Sequence, residues 1–170
     1  NARAQHALGA MYELGRGTPV DVAKALEWYT KAEAQHVAAS ANSIGALHYR
    51  GLGVKQDAAE AVRWFRKAAE AGDGPGALNL AGRFLAGEGV AADTVEARRW
   101  LEKAAATPGT DDERLAVVAV AKYTLGTIYE EGNGVEKDLV KALNLYGEAA
   151  GRNEEARRSY ERLKARLAGD

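Results

Sequence analysis

The chain has 170 residues, of which 28% are charged and none is cysteine, and its 23 basic and 24 acidic side chains leave a formal net charge of −1 at pH 7. Nucleic acid is not predicted as a partner, because phosphate binding needs clustered positive charge and the sequence has no basic stripe. Without cysteine the chain forms neither disulfides nor thiolate metal sites. No apolar run approaches the roughly 20 residues that span a bilayer, so we predict no membrane insertion.

A Gly-x-Gly pair occurs four times, and its first glycine recurs at steps of 36, 36 and 45 residues. Three further positions, or columns, of the repeat recur at the same steps. They hold an aspartate, an alanine and an aromatic or imidazole ring. The members are Gly15, Gly51, Gly87 and Gly132; Asp21, Asp57, Asp93 and Asp138; Ala25, Ala61, Ala97 and Ala142; and Tyr12, His48, Phe84 and Tyr129. Self-similarity at a fixed period is the signature of stacked repeats. We therefore predict a single domain over residues 1–170, with repeats at about 4–38, 39–73, 74–110 and 111–153.

In the first copy, two apolar stripes at helical spacing flank the glycine pair. The first consists of Ala4, Ala7, Leu8, Met11 and Tyr12, and the second of Ala25, Trp28, Tyr29 and Ala32. Gly15 fits the left-handed position that ends a helix, Gly17 allows the chain to reverse, and Asp21 fits an N-cap. A phosphate-binding Gly-x-Gly would instead follow a strand and open directly into a helix. Each copy is therefore predicted to be a helix, a tight turn and a second helix.

The step to the fourth copy is longer, and its extra residues lie in the segment TPGTDDERLAVVAVAKYTLG (107–126). Thr110 followed by Glu113 has the spacing of a capping box, and no helix breaker intervenes before Gly126. We predict one long helix from about 111 to 131, whose added turns carry Leu115, Val117, Val118 and Val120. Two interpretations remain open. These side chains fold back on the preceding second helix, or they form a second interface for a partner or a homodimer.

The last segment, NEEARRSYERLKARL (153–167), begins with Asn153 as a predicted N-cap. Most of its other residues are charged. Its apolar residues lie at helical spacing and are Ala156, Tyr160, Leu163 and Leu167. Such a helix covers the last apolar face of a repeat stack while its exterior stays polar. We predict a C-terminal capping helix over 153–168, the alternative being an incomplete fifth repeat.

These copies resemble the Sel1-like repeat, a relative of the tetratricopeptide repeat. The resemblance covers roughly residues 4 to 153 and rests on the pattern A-x-x-x-L-G-x-x-Y-x-x-G-x-G-V followed by D-x-x-x-A-x-x-W-(Y/F)-x-K-A. The first copy supplies Ala4, Leu8, Gly9, Tyr12, Gly15, Gly17, Asp21, Ala25, Trp28, Tyr29, Lys31 and Ala32. Two departures are Ala81, where the other copies have glycine, and Leu145, where they have tryptophan.

The resemblance implies an all-α fold, a right-handed α-solenoid superhelix of stacked antiparallel helix pairs with the first helices on the concave face. It also implies a non-enzymatic scaffold or adaptor that binds a protein or peptide in that groove, in bacterial envelope signalling, secretion or regulation. Localisation stays unknown, with a periplasmic or secreted setting favoured by the resemblance alone. The start at Asn1, without a methionine and already within a helical pattern, indicates a piece of a longer protein, so any export signal would lie outside it.

Residues that are the same in all copies are explained by the turn and the stacking contact that every copy makes. Positions that vary between copies are not constrained in this way and are available for binding. Large apolar side chains on a helix face that is expected to contact solvent are the best sequence evidence for a binding surface. The predicted groove residues are Asn42, Tyr49, Arg50, Leu78, Leu85, Tyr123, Thr127 and Glu130. The alternative for each of them is a contact with the neighbouring repeat.

Catalytic patterns are absent from the sequence. The imidazoles are His6, His36 and His48, and His48 holds the ring column, so we interpret it as a packed ring. We predict no enzymatic activity, no metal and no cofactor. The alternative function is a ligand-binding protein or hydrolase for cell-wall-type ligands, to which cysteine-rich relatives are linked. The lack of cysteine disfavours it, and a polar pocket converging on His6 or His36 would support it.

Overall fold

A computed structural model describes residues 1–169, and within this range all regular structure is helical, which confirms the all-α prediction. The helices are α1 (Ala2–Leu14), α2 (Val22–Glu33), α3 (Ala38–Arg50), α4 (Ala58–Glu70), α5 (Gly74–Ala86), α6 (Thr94–Ala105), α7 (Asp112–Glu131), α8 (Leu139–Ala149) and α9 (Glu154–Gly169). Odd-numbered helices from α1 to α7 are the first helices of the four copies, and even-numbered helices are the second helices.

The chain divides into two compact units, Asn1–Ala92 and Asp93–Asp170. The first unit contains α1 to α5, in which each helix packs against the next along the chain. The second contains α6 to α9, which pack in the same sequential manner. The single-domain organisation over residues 1–170 stays a prediction.

Each second helix begins at its predicted aspartate, whose carboxylate accepts a hydrogen bond from the backbone amide three residues later. The oxygen to nitrogen distances are 3.0 Å for Asp21 to Lys24, 2.9 Å for Asp57 to Glu60, 3.0 Å for Asp93 to Glu96 and 2.8 Å for Asp138 to Lys141. These bonds satisfy amides that have no partner within the helix. The same backbone bonds lower the pKa of Asp21 and of Asp57.

Each first helix ends at the first glycine of its pair, as predicted. Gly15, Gly51, Gly87 and Gly132 have φ angles of 68°, 68°, 68° and 74°. A side chain is strained in this left-handed region, so glycine is the residue that ends these helices at the least cost.

The second glycine of the last three pairs makes a close contact as well as a turn. A Cβ atom would lie 2.9 Å from Val22 at Gly53, 2.2 Å from the Ala58 oxygen at Gly89, and 3.0 Å from Thr94 at Gly134. Val22, Ala58 and Thr94 are the first residues of α2, α4 and α6. In copies two to four, the second glycine therefore packs on the start of the second helix of the preceding copy.

Packing between the two helices of a copy depends on a glycine opposite a ring. A Cβ at Gly9 would lie 2.6 Å from the Tyr29 ring, and one at Gly45 would lie 2.8 Å from the Phe65 ring. Gly126 faces Tyr146 in the same way, at 2.6 Å. In the third copy, the same two sequence positions are occupied by Ala81 and Leu101, a larger residue in place of glycine and a smaller one in place of the ring.

The tryptophan column pairs with lysine three residues later on the second helices. The ammonium lies 4.5 Å from the ring centroid for Lys31 and Trp28, 5.3 Å for Lys67 and Trp64, and 4.1 Å for Lys103 and Trp100. These are cation–π contacts, in which a ring face attracts positive charge. The fourth copy has Leu145 and Glu148 in these places, and Glu148 accepts a hydrogen bond of 2.6 Å from Lys122.

The long helix of the fourth copy is confirmed, but its predicted cap is wrong. Asp111, not Thr110, is the N-cap, because its carboxylate accepts from the Arg114 amide at 3.0 Å. The Asp111 carboxylate, one residue after Thr110, thus accepts the capping hydrogen bond that was predicted for the Thr110 hydroxyl. Asn153 caps α9 as predicted, with its side-chain oxygen 2.8 Å from the Ala156 amide.

The apolar stripes at the two ends of the chain differ in burial. In α9, Ala156 and Leu163 are buried, whereas Leu167 is exposed. In α1, Leu8 and Tyr12 are half-buried, but Ala4, Ala7 and Met11 are exposed, contrary to the expectation of a packed stripe. The first stripe is therefore only partly covered within the first unit.

Candidate functional site

In the first unit, polar side chains of the variable columns join neighbouring first helices. Asn79 Nδ2 of α5 donates to Asn42 Oδ1 of α3 at 2.8 Å. Arg50 Nη2 of α3 donates to Glu13 Oε1 of α1 at 2.7 Å. Asn42 and Arg50 thus use part of their hydrogen-bonding capacity within the protein, although the Arg50 side chain stays half exposed.

Tyr49 of α3 contacts one residue of α5 and one residue that follows α5. The Arg83 guanidinium lies 4.0 Å from the centroid of its ring, and its hydroxyl donates to Glu88 at 2.9 Å. Arg83 also forms an ion pair with Glu88. Leu78 is half-buried, whereas Leu85 is 37% exposed. Of the apolar residues predicted on the first-helix face of this unit, Leu85 is the accessible one.

In the second unit, three predicted residues line one cleft of about 410 Å³. They are Tyr123, Thr127 and Glu130, all on α7. Further lining residues that the sequence did not indicate are Glu131, Lys137, Tyr146, Ser159, Arg162 and Arg166. The cleft lies between α7 and α9 and combines two rings with three cations and two carboxylates. We define it as the α7–α9 cleft.

Glu130 connects α7, α8 and α9 beside this cleft. Its carboxylate accepts from the Tyr146 hydroxyl at 2.8 Å and from Arg162 Nη2 at 2.6 Å, and Arg166 Nη1 lies 3.8 Å away. Burial raises the pKa of the Tyr146 phenol to about 12, and the Glu130 carboxylate acts in the same direction. Charge-assisted hydrogen bonds of this kind are stronger than neutral ones. Glu130 therefore fixes the geometry of the cleft.

The first unit contains the same arrangement around Glu13. The Tyr29 hydroxyl donates to Glu13 at 2.7 Å, and Arg50 is the cation. The two copies with glutamate in this column, Glu13 and Glu130, also have tyrosine in the facing second-helix column. The other two copies have Phe65 and Leu101 there, which carry no hydroxyl. This pairing was visible in the sequence and is the signal that could have assigned both glutamates a structural role.

Tyr29 and Tyr146 are expected to make the free energy of unfolding depend on pH in the alkaline range. Burial, together with the Glu13 carboxylate, raises the pKa of Tyr29 as well. An unfolded chain releases its phenol protons near pH 10, before the folded chain does, so ionisation favours unfolding. We expect the free energy of unfolding to fall as pH rises from about 10 towards 12, the pKa of Tyr146. Urea titrations at pH 9 and pH 11 measure it.

The matched variants for this experiment are Tyr29→Phe and Tyr146→Phe, which keep the ring and remove the ionising group. Each variant should lose less stability than the native chain between the two pH values. All other ionisable groups are the same in the three proteins, so only the difference between native and variant is informative. An identical pH dependence in all three would contradict the assignment.

The three histidines lie on or beside different helices of the first unit: His6 on α1, His36 between α2 and α3, and His48 on α3. His6 Nδ1 lies 2.9 Å from the Ser40 hydroxyl, and its ring centroid lies 5.3 Å from that of Tyr29. His36 is exposed, and His48 is half-buried on α3. Over residues 1–169, no group of three His, Cys, Asp or Glu side chains is arranged to hold a metal ion.

The apolar residues of the long helix are mostly packed within the second unit. Val117 is 8% exposed and Val120 is 42% exposed, while Leu115 and Val118 are half-buried. The helix contacts both α6 and α8, and Ala119 packs with Ala149 and Ala156. A second interface along α7 stays a prediction, and Val120 is its accessible residue. None of the described helices is both long and apolar enough to cross a membrane.

Repeated helix pairs with a left-handed glycine turn, and variable side chains on the first helices, define a helical-repeat protein of the solenoid class. The chain belongs to the Sel1 repeat family, whose profile matches residues 2–36, 38–73, 75–106 and 119–153. Proteins built from Sel1 repeats are generally scaffolds for protein interactions and typically have no enzymatic activity.

Three solved structures are similar to this chain. A Sel1 repeat protein from Oxalobacter formigenes has a TM-score of 0.83 and 29% identity, over 94% of this chain and 63% of that one. The protective antigen c5321 of uropathogenic Escherichia coli, with an SLR fold, has a TM-score of 0.61 and 28% identity, over 94% and 40% respectively. Cysteine rich protein B of Helicobacter pylori has a TM-score of 0.56 and 22% identity, over 68% and 88%, and supports the fold alone. No curated protein sequence matches significantly.

Proposed function

We propose that this chain is a non-enzymatic scaffold that binds a protein or peptide on the faces of its first helices. The observation that carries the proposal is the α7–α9 cleft, where Tyr123, Thr127 and Glu130 meet Arg162 and Arg166. Rings and arginines are the side chains that most often dominate binding energy at interfaces. A cleft on packed helices is also pre-formed, so little ordering entropy opposes binding.

In the first unit, the proposed contact residues are Asn42, Tyr49, Arg50, Leu78 and Leu85. Tyr49, Asn42 and Arg50 are oriented by their intramolecular bonds, and Leu85 supplies exposed apolar area. The proposed setting is bacterial envelope signalling, secretion or regulation, and it rests on the family resemblance. The chain spans 63% and 40% of the length of the Oxalobacter and Escherichia proteins, so the proposal concerns this part of the protein.

A library of random peptides displayed on phage tests the cleft directly. Peptides enriched on the native chain should bind it measurably and should lose affinity for the variant Arg162→Ala, Arg166→Ala. Truncating a contact residue at a binding hot spot costs about 2 kcal/mol, so the pair should weaken binding by more than about tenfold. Fluorescence anisotropy with synthetic copies of the enriched peptides gives the affinities.

The matched control is Arg157→Ala, Arg158→Ala. It removes the same charge from the same helix, but these arginines pair with Glu154 and do not line the cleft. Circular dichroism must show that both variants keep the native helix content. Failure to enrich any peptide, or equal losses in the two variants, would count against binding in the cleft.

A further inference from the structure

The α7–α9 cleft has a counterpart in the first unit, built at the equivalent positions around Glu13. In both places a second-helix tyrosine donates its hydroxyl proton to the glutamate, at 2.7 Å to Glu13 and at 2.8 Å to Glu130. The helix that follows also corresponds, since Arg50 of α3 and Arg166 of α9 both lie thirteen residues after the N-cap of their helix. The counterpart therefore shows which charges this cluster needs for folding, and any further charge needs another explanation.

The cleft carries two cations that the counterpart lacks. Arg162 lies where α3 has Ala46, nine residues after the N-cap of its helix. Lys137 lies where the first copy has Val20, five residues after the first glycine of the pair. One carboxylate is added as well, at Glu131. Three cations against two carboxylates leave the cleft one positive charge, whereas one arginine and one glutamate cancel in the counterpart.

One carboxylate serves two arginines in the cleft. Glu130 accepts from Arg162 at 2.6 Å, while Arg166 lies 3.8 Å away and keeps 48% of its side chain exposed. In the counterpart, the arginine equivalent to Arg166 approaches its glutamate to 2.7 Å. Lys137 is exposed and forms no ion pair within residues 1–169. Arg166 and Lys137 therefore have hydrogen-bond donors available to a ligand.

The cleft also has an aromatic wall, which an inorganic anion would not use. The ring centroids of Tyr123 and Tyr146 lie 5.8 Å apart, and Tyr123 is half-buried. The cavity of about 410 Å³ is much larger than a single carboxylate or phosphate group. A peptide segment suits both features, because its acidic side chains pair with cations while the neighbouring groups pack on the rings.

We propose that the α7–α9 cleft recognises an acidic segment of a peptide or protein, through carboxylates that bind Arg166 and Lys137. A planar guanidinium matches a carboxylate with two parallel hydrogen bonds, and such charge-assisted bonds are stronger than neutral ones. The inference rests on the proposed function and adds the chemistry of the partner. Glu131, the exposed carboxylate of the same cleft, opposes this binding and so allows a test of opposite sign.

The test is a selection of random phage-displayed peptides on the native chain and on the variant Lys137→Val, Arg162→Ala. The variant restores the residues of the counterpart, so Arg166 should pair with Glu130 as the equivalent residues do in the first unit. Peptides selected on the native chain should be enriched in Asp and Glu relative to the starting library, and those selected on the variant should not. In synthetic copies, changing the acidic residues to Asn or Gln should weaken binding about tenfold, the usual size for a charge-assisted hydrogen bond.

Glu131→Gln is a variant in which binding should improve, so loss of folding cannot produce the expected result. It removes the opposing charge, and the acidic peptides should bind about threefold more tightly, the size of one surface charge interaction. Glu155→Gln is the matched control, because Glu155 is an exposed carboxylate of α9 that does not line the cleft, and it should leave the affinity unchanged. Fluorescence anisotropy measures all of these affinities.

The outcomes separate this inference from the proposed function. Peptides that need Arg162 and Arg166 but show no excess of acidic residues would overturn the inference and leave the proposed function intact. Failure to enrich any peptide would overturn both. Displacement of the acidic peptides by inorganic phosphate as readily as by free peptide would also overturn the inference, because the cleft would then bind a small anion.

Discussion

Gly89→Ala is expected to lower the free energy of unfolding more than any other glycine substitution in the four turns. The φ angle of Gly89 is 73°, and the left-handed region costs an L-residue about 1–2 kcal/mol. The new Cβ would also lie 2.2 Å from the Ala58 oxygen and 2.3 Å from its carbonyl carbon. Backbone atoms at the start of α4 cannot rotate away, so overpacking adds about 1–3 kcal/mol. Urea unfolding followed by circular dichroism measures the sum.

Gly87→Ala is the control for this prediction, because it removes the same conformational freedom without the clash. Gly87 has a φ angle of 68°, and an added Cβ would lie 3.4 Å from the nearest atom, the Ala92 Cβ. Its loss should be limited to the cost of the left-handed backbone, about 1–2 kcal/mol. Equal losses for the two variants would show that the contact between Gly89 and α4 contributes nothing to stability.

Gly45→Ala and Phe65→Leu should each destabilise the chain but compensate one another when combined. A Cβ at Gly45 would lie 2.8 Å from two atoms of the Phe65 ring, and Phe65→Leu alone leaves a void beside a glycine. The third copy already has the combination, as Ala81 and Leu101. We expect a favourable coupling free energy of about 1–3 kcal/mol in a double-mutant cycle. Additive losses would mean that the two positions do not determine each other.

Gly82→Ala controls for helix propensity in this cycle. Gly82 lies inside α5, and an added Cβ would meet nothing within 4 Å. Alanine is favoured over glycine in a helix interior by about 1 kcal/mol, so this variant should be more stable than the native chain. Its gain is the part of the Gly45→Ala effect that must be subtracted before the clash with Phe65 is evaluated.

The parts of the fold that were predictable from the sequence are those fixed by local chemistry. An aspartate ahead of an apolar stripe caps a helix wherever it lies, and Gly15 or Gly51 ends a helix because of its own backbone angle. The repeat then confirms each assignment several times within one chain. Thr110 was the exception, since Thr110 and Asp111 are adjacent capping residues and the spacing to Glu113 favoured the wrong one.

The candidate site was less predictable because its residues depend on contacts between separate helices. The variable columns identified Tyr123, Thr127 and Glu130, but Arg162 and Arg166 reach the cleft only because α9 packs on α8. The role of Gly89 was missed for the same reason, since its contact is with the preceding copy. Glu13 and Glu130 were recognisable in principle, through the tyrosines that accompany them.

The tryptophan column has a spectroscopic consequence. Trp28 and Trp64 lie in the first unit and Trp100 lies in the second, and the fourth copy has none. Two changes to phenylalanine would therefore leave a single indole emitter in a chosen repeat. Emission from Trp64 alone and from Trp100 alone would report the melting of each unit separately, and coincident curves would mean that the two units unfold as one cooperative body.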